Sequence, residues 1–310
     1  MTNLRIFYVK TFLSWGFIIR HRGTSAAQPA YPIPPPTTIV GVFAYPLVRL
    51  LNLSTRNKDI RKWGEGKLIS EIMEPLLEAT ITASAGLTSP KFTSKSPTHS
   101  SYRTLRVGLA IYQEINRIIA SPYKSGGSFQ SAVRVKFMES NFFAKALPVT
   151  LPVQATGAAY APALKVELMW IIDAEKLSRE LGVSVEKLDS IAKKAVHGVV
   201  RIGSKEGIVA LEEAVYAEKP VIRGPGEKVS TRLYIERFCA EPLNPTLITE
   251  IIMPSLRYSP TPYYVPASIG SSNLIIPLSE DMPPPIFRIL SPCRAIIAPE
   301  VEVAVGVTRL

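Results

Sequence analysis

The tightest constraint on this chain is Tyr31-Pro32-Ile33-Pro34-Pro35-Pro36-Thr37-Thr38, which runs directly into an apolar segment ending at Leu51. Its four prolines within five residues each fix φ at about −65° and remove a backbone donor, so the chain must arrive rigid and extended. Thr37 or Thr38 is then positioned to cap a helix with its hydroxyl. Ile39, Phe43, Leu47 and Leu50 or Leu51 recur at helical spacing and give that helix one face to bury. Gly41 is expected to admit a neighbouring backbone, and Pro46 to kink the helix or start a second one.

Charge divides the chain. The whole sequence of 310 residues carries +11, but residues 1–150 hold 19 Lys/Arg against 7 Asp/Glu, whereas residues 151–310 hold 17 against 18. A basic half beside a neutral half fits one surface for a polyanion and another for protein neighbours; a generally basic proteome would give the same balance. Hydrophobic content of 46% supports a proper core. Cys239 and Cys293 form no CxxC pair, which argues against zinc; two buried free thiols are expected, with one disulfide as the alternative. Arg5, Lys10 and Arg20 interrupt the apolar N-terminus, so neither a membrane span nor a signal peptide is read there, and a cytoplasmic location is expected. Only 11 Asn and Gln beside 27 Pro lean toward a thermophilic source.

Along the chain, residues 4–19 read as strands, and His21 to Gln28 as a loop with Arg20 and Arg22 at its entrance. Those arginines suit phosphate contacts or a solvated strand end. Leu68 to Leu77 reads as a second amphipathic stretch, interrupted by Pro75. No acidic residue occurs from Ala79 to Gln113, and Lys91, Lys95, Arg103 and Arg106 are interleaved with Phe92, His99 and Tyr102. This pattern suits an extended insertion that orders on a nucleic-acid backbone, or a flexible surface loop. Leu105 to Ala120 reads as a helix, Tyr123 to Ser128 as a turn, and Pro148 to Pro162 as a linker. Between them, Ser131 to Met138 reads as a strand with Arg134 and Lys136 on its outer face.

Leu164 to Ile172 reads as a strand, with Asp173 capping a helix that Gly182 closes. Ser184 caps a second helix bearing Val185, Leu188, Ala192 and Val196 on one face, and strands follow at 199–203 and 208–216. The order strand, helix, insertion, strand, strand, helix, strand is that of a ferredoxin-like or RRM-like α+β domain. Residues 221–310 read as a smaller β-rich part ending in the alternating Val301, Val303, Val305 and Val307.

Catalytic motifs are missing: no GxSxG, P-loop or dinucleotide fingerprint occurs, and no metal or cofactor is called for. A metal-independent ribonuclease built on His21 or His99 is one alternative. Leu177 to Leu188 reads either like the helix-turn-helix of a DNA-binding regulator or as a structural helix pair packed on a sheet; Glu186, Lys187, Asp189, Lys193 and Lys194 are mixed in sign, unlike a reader helix, which favours the structural pair. Arg201-Ile202-Gly203-Ser204-Lys205-Glu206-Gly207 is either a phosphate clamp formed by Arg201 and Lys205 or a tight turn.

The proline ramp, preceded by a strand ending Trp15-Gly16-Phe17-Ile18-Ile19-Arg20, resembles the opening of the CRISPR-associated Cas-five family of the RAMP superfamily. Val199 to Gly207 resembles that family's later glycine-containing strand. The resemblance implies an RRM-like RAMP domain over residues 1–220, a thumb-like basic insertion at about 80–104, and a β-rich segment over 221–310. It further implies a noncatalytic subunit of an archaeal, type I-A-like Cascade that caps the 5′ handle of crRNA. The insertion would displace one guide nucleotide from pairing. Partners would be the crRNA, the repeating backbone subunit and the large subunit that reads the PAM, with target DNA reached through the guide. RNA-binding residues would be Arg20, Arg22, Gln28, Thr37, Thr38, Lys91, Lys95, Arg103, Arg106, Arg134, Lys136, Arg201, Gly203 and Lys205.

Overall fold

The computed structural model describes residues 3–19, 27–28, 30–53, 59–63, 67–90, 92–95, 102–105, 108–120, 150–203, 207–271 and 274–309. It is an α+β fold with a large curled sheet of ten strands. The strands that matter here are β1 (Leu4–Leu13), β2 (Thr80–Ser89), β3 (Leu109–Ala120), β4 (Thr150–Tyr160), β5 (Lys165–Asp173), β6 (Val209–Ala217) and β7 (Leu274–Ser279). Among the described residues the α-helices are α1 (Pro36–Leu50), α2 (Glu74–Glu78), α3 (Ala174–Leu181) and α4 (Val185–Ala195). Two last strands, β8 (Cys293–Ala298) and β9 (Val301–Arg309), pair with each other outside the main sheet.

Main-sheet order is β6-β1-β5-β2-β7-β3-β4, followed by the short Gly16–Phe17. The first four strands are mutually antiparallel neighbours. β7, from the C-terminal part of the chain, joins β2 in parallel and β3 antiparallel.

β1 and β5 are buried at nearly every position because both of their faces are covered, and most of their residues are apolar. On the front, Phe7 and Trp170 have ring centroids 4.8 Å apart, and Phe43 of α1 and Tyr216 of β6 close around Phe7 at 5.7 and 5.0 Å. On the back, Ile6, Tyr8, Met169 and Ile171 pack against Leu233, Ile296, Ala298 and Val301. Residues 231–234 cross that back face at Gly86, where a Cβ would stand only 2.5 Å from the Arg232 carbonyl oxygen. The Tyr234 N–H donates to the Ala85 carbonyl at 2.9 Å, and the Ser84 hydroxyl to the Tyr234 carbonyl at 2.6 Å.

Local signals work well in the segment 164–196. Asp173 accepts from the Lys176 N–H at 3.1 Å, α3 ends on a left-handed Gly182, and Ser184 accepts from the Lys187 N–H at 3.3 Å.

Elsewhere the structure corrects the sequence reading. α1 starts at Pro36 with Pro35 as N-cap and no side-chain cap, so Thr37 and Thr38 lie in the first turn instead of capping it. A proline at the first helical position needs no donor, which makes a threonine cap dispensable. α1 continues through Pro46 as one helix, and no heavy atom lies within 4 Å of an ideal Cβ on Gly41, so no backbone approaches there. Leu50 is exposed.

The stretch 68–77 contributes to strand Lys67–Ser70, paired with Ile60–Trp63, and then to the five-residue α2. The run from Ala79 begins with β2 in the middle of the sheet; only Phe92–Lys95 and Tyr102–Leu105 beyond it form a separate hairpin. β3 replaces the helix expected at 105–120, and β4 the linker expected at 148–162; each supplies the other's ladder. Val199–Gly203 makes one bridge, Arg201 to Ile208, in place of a strand. Cys239 and Cys293 are joined in a disulfide, with Cα atoms 5.3 Å apart, in place of two free thiols. The turn at 123–128 and the strand at 131–138 lie outside the described residues. Among the described residues no helix is long and apolar enough to cross a membrane.

Candidate nucleic-acid interface

A groove runs between the outer face of α1 and the loop that joins α4 to β6. Ile39, Val40, Phe43 and Leu47 turn inward to the core, which leaves Thr38, Gly41 and Tyr45 on the outer side. The facing wall is a tight loop: the Ile202 N–H donates to the Gly207 carbonyl at 2.7 Å, and the Val209 N–H to the Val200 carbonyl at 3.0 Å. Gly203 has φ +73°, and a Cβ there would stand 2.8 Å from the Ile18 carbonyl oxygen. Both the turn and the close approach of the Ile18 backbone require glycine. The backbone that comes close at Gly203 is this chain's own.

Thr38, Gly41, Val42, Tyr45, Gly198, Val200, Arg201, Gly203 and Ile208 enclose a cavity of about 630 Å³. Arg201 is the one charged side chain among these lining residues, and it is exposed. Three residues singled out in the sequence, Thr38, Arg201 and Gly203, are thus brought together from positions more than 160 apart in the chain.

The remaining expected residues divide into two groups. Thr37 is half-buried in the first turn of α1 and does not line the groove. Gln28 pairs with Thr156 of β4, at the other end of the sheet order. Lys95 and Arg103 occupy facing strands of the hairpin, opposite Tyr102 and Ser94 respectively. Arg20, Arg22, Lys91, Arg106, Arg134, Lys136 and Lys205 lie outside the described residues, as do His21 and His99.

Sequence reasoning missed the apolar part of the groove: Tyr45, Val200 and Ile208, exposed at 52, 56 and 59%. The available signal was Tyr45 and Arg49 one helical turn apart on the face opposite Phe43 and Leu47. It also missed a buried polar belt at the edge of the back face. Glu167 accepts from the Tyr8 hydroxyl at 3.1 Å and from Thr88 at 3.2 Å. Lys165 bridges Glu212 at 3.0 Å and Glu280 at 2.5 Å, and Arg232 donates to the carbonyls of Ser279, Glu280 and Met282. Burial pushes the Glu167 carboxyl above its usual range, opposed by the Tyr8 hydrogen bond and by the charges of Arg232 and Lys10. Lys165 and Glu167, at alternate positions in an otherwise apolar strand, were the available signal.

The helix pair at 177–188 is tied to the sheet. Asp189 of α4 takes both Nε (3.0 Å) and a terminal nitrogen (2.9 Å) of the nearly buried Arg5, and it also accepts from the Tyr216 hydroxyl. Lys193 pairs with Glu218. The charged side chains that a reader helix would present are therefore partly spent on packing.

No protein-family profile and no curated protein matches the sequence. Among solved structures, a CRISPR protein from Archaeoglobus fulgidus superposes with a TM-score of 0.51 at 15% identity, covering 99% of both chains. A chain of a CRISPR RNA-guided surveillance complex matches with a TM-score of 0.28 at 5% identity, over 75% of this chain and 69% of that one. Another, from a CRISPR RNA-guided surveillance complex in a pre-nicking state, matches at 0.22 and 7%, over 75% and 78%. The structural neighbours are CRISPR proteins, and over nearly its whole length this chain has the fold of the one from Archaeoglobus fulgidus.

Proposed function

We propose that this chain is a noncatalytic subunit of a type I, I-A-like CRISPR surveillance complex that binds and caps the 5′ handle of crRNA. The observation that carries this reading is the groove, in which Thr38, from the helix that follows the proline ramp, and Arg201 line one cavity. Arg201 would take a phosphate, and Thr38 a phosphate or ribose hydroxyl, contacts that position a strand without reading its sequence. The strand order β6-β1-β5-β2, with α1 between β1 and β2 in the chain and α3–α4 between β5 and β6, supports a ferredoxin-like RAMP domain. Partners would be the crRNA, the repeating backbone subunit and the large PAM-reading subunit. Specificity for target DNA would then come from pairing by the guide.

The hairpin Phe92–Lys95/Tyr102–Leu105 would serve as the thumb, shorter than the span 80–104 because β2 belongs to the sheet. A DNA-reading role for α4 is the weaker alternative, since Asp189 and Lys193 are tied to the sheet side.

The test is affinity purification from the native host, followed by sequencing of the nucleic acid that comes down. Short RNAs with one constant 5′ segment and variable interiors are the expected result. Absence of RNA, or duplex DNA enriched in one site, would overturn the proposal.

A further inference from the structure

Tyr45 stands between two adjoining cavities. One is the groove of about 630 Å³, and the other, about 470 Å³, is lined by Ala44, Val48, Arg49, Ile72 and Met73; both share Gly41 and Tyr45. Arg49 donates to the Tyr45 hydroxyl at 3.3 Å and holds its guanidinium carbon 5.4 Å from the ring centroid. Arg49 borders the second cavity and not the groove, so it braces the ring from that side. The same ring borders the groove and is half-exposed.

Gly41 lies one helical turn before Tyr45, and nothing comes within 4 Å of where its Cβ would be. The floor beside the ring is therefore open. Across it stand the exposed apolar side chains of Val200 and Ile208, with Arg201 beside them. A half-exposed aromatic with an open floor and two arginines, in the basic half of the chain or facing it, matches the chemistry of a planar base on an anionic backbone.

We propose that the groove holds one unstacked nucleobase of a single-stranded RNA, laid over Gly41 and stacked on Tyr45. This rests on the reading of the groove as an RNA site and adds to it a stacking platform, the Tyr45 ring, whose hydroxyl is held by Arg49. The flanking phosphate meets Arg201.

The test is fluorescence-anisotropy binding of a short labelled oligoadenylate to the full chain, repeated with one internal adenine replaced by an abasic unit. Tyr45→Ala should weaken binding roughly 5- to 150-fold, the range of base–aromatic stacking, while Tyr45→Phe stays close to the parent. Gly41→Phe, which fills the floor, should weaken binding with an unchanged melting temperature. Arg201→Ala should weaken binding whether or not the base is present. If the parent binds and Arg201→Ala weakens it, but Tyr45→Ala and Gly41→Phe both bind like the parent, the stacking platform is overturned and the RNA reading stands. Failure of the parent to bind any single-stranded RNA overturns both.

Discussion

The two faces of the central sheet are closed by different physics. The front is closed by helices and rings, Phe7, Phe43, Trp170 and Tyr216, with the Trp170 indole N–H satisfied by Thr80 at 2.8 Å. The back is closed by chain that returns late, at 231–234, β8 and β9, and its margin carries Glu167, Lys165 and Arg232 in nearly buried positions. Apolar packing is non-directional and tolerates local adjustment. A buried polar belt fixes which segment lies where, because each misplaced partner leaves an unsatisfied group.

Breaking the front should cost most. Trp170→Ala removes the ring that Phe7 and Phe43 both touch, and about 3–5 kcal/mol should be lost in urea unfolding. A loss under about 1 kcal/mol would mean that the front does not dominate stability.

The cover of the back face is stapled where Cys239 bonds to Cys293 at the start of β8, closing a separation of 54 residues. Replacing both cysteines by serine should cost about 2–4 kcal/mol, read as a fall in melting temperature that added reductant does not deepen.

Within the belt, Glu167→Gln keeps an acceptor for one hydroxyl, so its cost at neutral pH should be on the order of 1 kcal/mol. The sign of its pH dependence is the sharper readout. The folded carboxyl has its pKa raised above the ordinary 4.5, so the stability it contributes is complete below that value and is lost as pH rises through the folded one. Glutamine does not titrate. The difference in melting temperature between parent and variant should therefore narrow from acid toward neutral pH, and a constant difference would show that Glu167 is not held in this way.

The smallest effect concerns the outer surface of the front layer. Gly41→Ala fills open space on a helix and should add roughly 0.5–1 kcal/mol. A loss would mean that the groove floor is occupied in the folded protein.

Legibility in the sequence followed the range of the interaction. Asp173, Gly182 and Ser184 act on residues three or four positions away, and the helices they delimit were readable. β3 and β4 exist because each gives the other its ladder, Tyr112 against Ala158 and Ile111 against Ala159. Seen alone, one reads as helix and the other, with its Pro, Gly and Ala, as a linker. The disulfide was illegible for the same reason: only the fold brings the two cysteines together. Of the site, Arg201 and Gly203 were recognisable as a glycine-containing basic loop. Tyr45 was legible as an outward aromatic on α1, one turn before Arg49, but that it faces this loop follows from α1 crossing beside it, which no local pattern records.

The position of β1 has a consequence for synthesis. Leu4–Leu13 lies between β5 and β6, whose residues are translated about 150–200 positions after it. At typical synthesis rates that is on the order of 10 s during which an apolar strand has neither of its neighbours. Ribosome-bound chains halted before Lys165 should therefore be the species that chaperones hold and that aggregate when released. Chains extended past Ala217 can close β1 between its two neighbours, and the hazard falls away.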